Sequence, residues 1–447
     1  MSETPEDPEE GANPFKGTPF EQFFGFGLGA NGGALFNTGA GMPDLSQLFG
    51  QIQAMMQPYD GPLNWDVALD LARKTVVAAG PDPTPSRKQM DAAADAVRLA
   101  DHWLDETTSF PSAIKSATAW SRAEWIVSTV DAWKVLVEPV AESSVSLLSG
   151  QLPAEVRAAA GPMVGILGRA VGALFANQIG AGLGALACDV LSLSEVGIPL
   201  AEPGRAALLP SNIPAFAEGL GVSEDDVLLY LALREAAHQR LFAGVPWLRD
   251  HLVGAVREYA SGVEVNLQAM QERIEEQMRG IDLNDPSSLQ QVFESNVFEV
   301  PQTPRQKAAL ERLEIALALV EGWVDEIVGQ ATAERMPVAT KLQEAIRRRR
   351  ASGGPAEQTF AQLVGLELRP RRLRDAATLW GSLRTRQGIE ARDGVWMSPA
   401  LLPTASDLDD PLGFREGAEK PQSLSDDEFD AELRRLLEPP SSEPDAE

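Results

Sequence analysis

Alanine and leucine recur at helical spacing through most of this sequence, and this pattern constrains the fold more than any other feature. In residues 303–333, TPRQKAALERLEIALALVEGWVDEIVGQATA, the apolar side chains fall on one stripe at about 3.6 residues per turn. Thr303 and Gln306 begin that stretch with the spacing of a capping box, and Ser86 and Gln89 begin an earlier one in the same way. The sequence therefore predicts a mainly α fold.

Composition predicts a folded protein with an acidic surface. Of 447 residues, 44% are hydrophobic and 23% are charged, which is ordinary for globular chains. The formal net charge is −27, from 65 acidic against 38 basic residues, so the average field repels nucleic acids and anionic membranes. We expect neither to be a partner.

The single cysteine, Cys188, limits the covalent and metal chemistry of the chain. It cannot form an internal disulfide or build a cysteine-based zinc site. The acidic start MSETPEDPEEGANPF has no basic region followed by an apolar run, as an export signal would require. These features predict a cytoplasmic protein.

Composition also divides the chain into three parts. Residues 1–60 are rich in Gly, Pro, Phe and acid and have no helical period, which predicts a disordered tail; a segment that docks on a partner through its aromatic and glycine residues is the alternative. Residues 61–415 carry the helical pattern and are predicted to form one domain. Residues 416–447 are predicted to be a solvated acidic tail.

Residues 163–187, MVGILGRAVGALFANQIGAGLGALA, are apolar enough to raise the question of a membrane span. Arg169, Asn177 and Gln178 interrupt the stretch, and such groups are costly in lipid. Glycine-lined helices also pack closely inside proteins without membranes. We therefore predict a buried helix and no membrane span.

One short region has β character. Residues 198–200 and 206–209 are apolar and flank the turn sequence Glu202-Pro203-Gly204. The sequence predicts a small β-hairpin here, just before the helix described next.

The helix around Arg234-Glu235-Ala236-Ala237-His238 differs by one residue from the zinc-peptidase motif H-E-x-x-H. Residues four apart share a helix face, so two imidazoles at this spacing can bind one zinc ion while the glutamate activates a metal-bound water. Arg234 has no acceptor lone pair and keeps its proton, so it cannot be a ligand. Taken alone, the match could be chance.

Four segments together resemble the zincin-like metallopeptidase family, whose members are described as zinc-dependent hydrolases. They are LLPSNI (208–213), LREAAHQRLFAGVPWLRDHL (233–252), LVEGWVDEIV (319–328) and GLELRPRRLRDAATLW (365–380). The resemblance implies a helical zincin-like domain that acts on a peptide or protein, with Glu235 as general base and His238 and Glu321 as zinc ligands. The sequence departs from the family pattern at Arg234 and at Trp323, where histidines are expected.

Two functions stay open. In the first, the chain is a zinc peptidase, and His251 or Asp325 supplies the missing ligand. In the second, it is a non-catalytic zincin-fold protein that binds or scaffolds a partner, and Arg234 replaces the charge of the metal by pairing with Glu321 or Asp325. His251 can equally pack at a helix end, and His102 is expected at the surface or the edge of the core. The sequence leaves the oligomeric state open.

Two arginine-rich runs, at residues 347–350 and 369–374, could contact phosphate or nucleic acid. The acidity of the chain favours another interpretation, in which they are solvated helix ends that pair with the acidic tails.

Overall fold

The computed structural model describes residue 59 and residues 61–150, 161–261, 303–351 and 372–415. Within these ranges the predicted mainly α fold is confirmed. The predicted tails lie outside them, apart from residue 59, so the predicted division into domains stays a prediction.

The helices are α1 (Trp65–Ala79), α2 (Arg87–Leu104), α3 (Arg122–Gly150), α4 (Gly161–Asp189), α5 (Ile213–Ala217), α6 (Glu224–Gly244), α7 (Leu248–Ser261), α8 (Pro304–Thr332), α9 (Ala339–Ala351), α10 (Leu373–Gln387), α11 (Ile389–Asp393) and α12 (Ala405–Asp409), with 3₁₀ turns at Gly394–Met397 and Pro399–Leu401.

Helix α8 is the centre of the described core. It begins at the predicted capping box, in which the Thr303 side chain accepts from the Gln306 amide and the Gln306 side chain accepts from the Thr303 amide. It packs against α6, α7 and α10, and its middle turns are buried on every side. Charged residues in those turns must therefore find partners inside the protein.

Two glycines allow α4 to lie against α1. A β-carbon added at Gly180 would stand 2.4 Å from the Ala68 carbonyl oxygen, and one at Gly184 would stand 2.5 Å from the Thr75 β-carbon. The part of the apolar, glycine-rich stretch around Gly180 and Gly184 is thus the contact surface of a packed helix pair. In the described part of the chain, no helix is both long enough and apolar enough to cross a membrane.

The predicted β-hairpin is wrong. Strand β2 (Arg205–Leu208) pairs in parallel with a distant strand, β1 (Ser116–Ala119). The other edge of β2 bonds to residues 191–193, through the Leu193 amide and the Leu191 carbonyl. Both edges are therefore occupied, and Pro199, which has no N–H to donate, lies in the stretch that was expected to be the partner strand.

Helix α6 carries the motif residues and follows the sheet. Ser223 caps its start by accepting from the Asp226 amide. From Tyr230 to Phe242 every residue of this helix is buried. A helix buried all round that contains arginine, glutamate and histidine needs an internal network of charges.

Candidate functional site

Arg234 of α6 lies against Glu321 of α8. Its Nη2 donates to Glu321 Oε2 at 2.6 Å, and its Nη1 stands 3.8 Å from Asp325 Oδ1. Burial lowers the pKa of Arg234, but Glu321, Tyr230 and Asp325 outweigh burial and raise it above its ordinary value. The guanidinium therefore stays charged inside the protein.

Glu321 has two further partners. His238 Nε2 lies 2.9 Å from Glu321 Oε1, and Arg350 Nη2 of α9 lies 3.0 Å from the same oxygen. Burial alone would raise the pKa of Glu321, but Arg350, His238 and Arg234 together lower it to about 2. Glu321 is therefore a carboxylate held among cations.

Both ring nitrogens of His238 have partners inside the protein. Nδ1 lies 2.8 Å from the Arg234 carbonyl oxygen, and Nε2 lies 2.9 Å from the Glu321 carboxylate. An oxygen atom of the protein therefore stands in front of each nitrogen.

These residues do not fit zinc. A catalytic zinc site uses three protein ligands and a water. The Arg234 guanidinium has no lone pair to offer a metal and pairs with Glu321, and Arg350 holds the Glu321 oxygen nearest to His238. Among the described residues, no group of three or more His, Cys, Asp or Glu side chains is arranged to hold a metal ion.

Glu235 points away from these residues, toward the segment 192–197. Its oxygens accept from the Ser194 amide at 2.9 Å, from Ser194 Oγ at 3.1 Å and from Gln239 Nε2 at 3.0 Å. The pKa of Glu235 is raised, because burial outweighs the hydrogen bonds and the nearby His238. Glu235 thus fastens α6 to a loop, and its side chain is fully buried, with an exposed fraction of 0%.

The same segment covers the Glu321 carboxylate. Gly197 has a φ of +78°, and a β-carbon there would stand 2.9 Å from Glu321 Oε1. The Glu195 carbonyl oxygen accepts from Arg350. The sequence analysis missed Ser194, Gln239 and the position of the segment 192–197 over Glu321. The sequence of a turn does not indicate which distant helix the turn will contact.

The arginines of α9 have a different role from the predicted one. The expectation of a solvated helix end is wrong for three of residues 347–350. Arg347 pairs with Asp325 at 2.5 Å, Arg349 with Asp189 at 2.8 Å, and Arg350 with Glu321. These contacts form the Arg234 cluster, which consists of Arg234, His238, Glu321, Asp325, Arg347 and Arg350.

In the second arginine-rich run, residues 369–371 lie outside the described ranges. Arg372 pairs with Asp409 at 2.5 Å and Arg374 with Glu344 at 3.3 Å. These two guanidiniums are thus engaged within the protein.

The structure does not bring His251 to the cluster. Its ring packs edge-on against Trp247 at 5.6 Å, and its pKa is lowered, first by burial and then by Arg312. His102 is exposed and lies 3.2 Å from Asp105. Of the weaker ligand candidates, only Asp325 lies beside Arg234.

Trp323 belongs to a second buried cluster, on another side of α8. Its Nε1 donates to Asp393 Oδ1 at 2.9 Å. Arg392 donates to Asp393 at 2.8 Å and to Glu326 at 2.6 Å, and Arg384 donates to Glu326 at 2.7 Å. Together with Trp323, the residues Glu326, Arg384, Arg392 and Asp393 form the Arg392 cluster.

Comparison with known proteins gives one family and one related structure. Residues 63–414 match the model of the zincin-like metallopeptidase family. The fold is similar to a crystal structure from Chloroflexus aurantiacus described as "a putative hydrolase with a novel fold", with a TM-score of 0.54 and 19% identity over 79% of this chain and 100% of that one. No curated protein matches the chain.

Proposed function

Because this chain belongs to the zincin-like metallopeptidase family, we propose that it is a pseudoenzyme: it keeps the fold and binds a peptide or protein partner without cleaving it. Family membership supports the class of partner, since metallopeptidases act on peptides. The alternative is a metal-dependent hydrolase that uses Glu235, His238 and Glu321.

One observation carries the proposal. At the first position of the motif, the Arg234 guanidinium donates to Glu321 at 2.6 Å, with both side chains buried. A zinc ion bound by Glu321 would stand beside this fixed positive charge and beside that of Arg350, which also contacts Glu321. Repulsion between a dication and two guanidiniums is strong where water does not screen it. In this account, Arg234 supplies the positive charge that the carboxylate needs.

Burial supports the same conclusion. The exposed fractions are 5% for Arg234, 0% for Glu235, 1% for His238 and 2% for Glu321. A general base must lie within about 3 Å of the water molecule that it deprotonates. The Glu235 carboxylate instead accepts hydrogen bonds from Ser194, in the segment 192–197.

Zinc content and peptide cleavage test the proposal. We expect full-length protein, purified without added metal and then dialysed against zinc, to retain less than about 0.1 mol of zinc per mol of protein by mass spectrometry. We expect no cleavage of casein above a heat-denatured control. Stoichiometric zinc that a chelator removes, together with zinc-dependent cleavage, would overturn the proposal in favour of the hydrolase.

A further inference from the structure

A pocket of about 400 Å³ lies beside the C-terminal end of α6, separate from the Arg234 cluster. Its walls include Pro199, Pro203, Phe242 and Pro246. A volume in this range can hold one or two side chains of a peptide. The walls thus favour an apolar group.

Two basic residues also line this pocket. Lys115 and Arg249 are both exposed, and neither forms an ion pair with any residue of the described ranges. Several other arginines of this protein are paired, including those of the Arg234 and Arg392 clusters. An apolar pocket bordered by two unpaired cations is complementary to an apolar side chain flanked by carboxylates.

The overall acidity of the chain does not prevent such binding. At physiological ionic strength, charges more than about 8 Å apart are largely screened. The attraction from Lys115 and Arg249 acts at contact distance, whereas most of the charge that makes up −27 is spread over the rest of the chain.

The wall of the pocket is held in place by the motif helix. Gln239 Oε1 accepts from the Gly204 amide at 3.0 Å, and its Nε2 donates to Ser194 Oγ at 3.0 Å. Gly204, at a φ of +89°, accepts from the Lys115 amide at 2.8 Å. The backbone that carries Lys115 is therefore fixed before any partner binds, which reduces the entropy lost on binding.

We propose that this pocket binds an acidic peptide segment of a partner protein, with an apolar side chain against Phe242 and carboxylates on Lys115 and Arg249. This inference rests on the proposed function, because it places the binding of the partner at a definite surface. It assigns no role in binding to Arg234, Glu235 or His238.

Fluorescence anisotropy with the full-length protein tests the pocket. The probe is a capped, fluorescein-labelled peptide, Glu-Glu-Leu-Glu-Glu. We expect a Kd below about 1 mM, with binding about tenfold weaker when glycine replaces the leucine, because less apolar area is buried. Lys115→Glu and Arg249→Glu should each raise the Kd about tenfold, since attraction becomes repulsion.

Lys88→Glu is the matched control, because Lys88 is exposed on α2 and the change in charge is the same. It should leave the Kd within about a factor of two. Thermal unfolding of each variant verifies that the fold is intact. A Kd above about 1 mM, or equal Kd values for Lys115→Glu, Arg249→Glu and Lys88→Glu, would overturn the proposal that this pocket binds the acidic peptide. Zinc-dependent cleavage of the peptide would instead overturn the proposed function.

Discussion

The two buried charge clusters on α8 differ in how completely they are satisfied. The Arg392 cluster sets two arginines against two carboxylates, and none of its buried side-chain atoms lacks a hydrogen bond. The Arg234 cluster sets three arginines and a histidine against two carboxylates. In it, Arg234 Nη1, Asp325 Oδ1 and Arg350 Nε have no hydrogen-bond partner.

This difference indicates that the two clusters have different roles in the protein. A closed set of bonds fixes neighbouring elements at little net cost, whereas each unpaired buried polar atom costs about 1–3 kcal/mol. The Arg392 cluster joins α8 to α11 and to the turn after α2, through Asp393 and Thr108. On the proposed function, the Arg234 cluster fills a metal's place with a side chain of another shape, and the unpaired atoms are the result.

The strongest test of this contrast compares the loss of one arginine from each cluster. Arg392→Met should lower the free energy of unfolding by about 4 kcal/mol, because Arg392 donates buried hydrogen bonds to Asp393, Glu326 and the Thr107 carbonyl. Arg234→Met should cost about 2 kcal/mol, since among the described residues the Arg234 guanidinium donates to Glu321 alone, and Glu321 keeps Arg350 and His238. Urea denaturation measures both. An equal or larger loss for Arg234→Met would contradict the distinction between the clusters.

A second test asks whether the guanidiniums are the obstacle to metal. Arg234→His removes one cation and adds an imidazole four residues before His238, so zinc affinity should rise at least about tenfold. Adding Arg350→Gln should raise it further, because the Glu321 carboxylate is then free of arginine. Calorimetric titration with zinc at neutral pH measures each step.

The control for the zinc titration is His238→Ala placed on the double variant, which should abolish the gain. If the double variant binds zinc no better than the natural chain, the account of the Arg234 cluster as a metal replacement is wrong.

Acid should weaken both clusters, because each contains a carboxylate whose pKa is lowered. Burial raises the pKa of Asp393, but hydrogen bonds from Arg392 and Trp323 outweigh burial, so its folded-state pKa is lowered from 3.8. A lowered folded-state pKa gives stability that is present above the unfolded value and is lost as pH falls through the folded value. Asp393→Asn should therefore be less stable than the natural chain at pH 6. The difference in the free energy of unfolding between the two should become smaller below pH about 4.

Melting temperatures between pH 6 and pH 3 measure that difference. Glu321, with a pKa lowered to about 2, has the same sign. A difference for Asp393→Asn that becomes larger in acid would show that Arg392 does not hold this carboxyl in its charged form.

The smallest expected effect concerns Glu235. Glu235→Gln keeps the shape of the side chain and loses one accepted hydrogen bond from Ser194 or Gln239, so it should cost about 1 kcal/mol. On the proposed function it changes no catalytic property. Loss of a measurable hydrolysis rate in Glu235→Gln, with the fold intact, would restore Glu235 as a general base.

Local patterns made part of this molecule predictable. The caps at Ser86 and Thr303 are formed from residues three apart, and the helical stripes follow from periodicity. One of the two interpretations of the sequence paired Arg234 with Glu321 or Asp325 as a replacement for the charge of a metal, and Arg234 lies against both carboxylates. That the contact replaces a metal stays a prediction.

Features that depend on distant segments could not be predicted. Strand β2 was expected to pair with the residues just before it, but its neighbours are residues 116–119 and 191–193, and only packing of the whole chain decides that competition. Arg350 joins the Arg234 cluster from α9, where four successive arginines look like a solvated helix end. Charge patterns reveal which residues need partners, but not which partners they find.

The parallel pairing of β1 with β2 has a consequence for folding. Parallel strands need a long crossover connection, and here the connection contains both α3 and α4. Closing the sheet therefore costs the entropy of a long loop before the strand contacts are gained, which slows this step. Helix α6 follows β2 in the chain and packs on it, so we expect the Arg234 cluster to form late. The amides of α6 should gain protection from hydrogen exchange during refolding after those of α1.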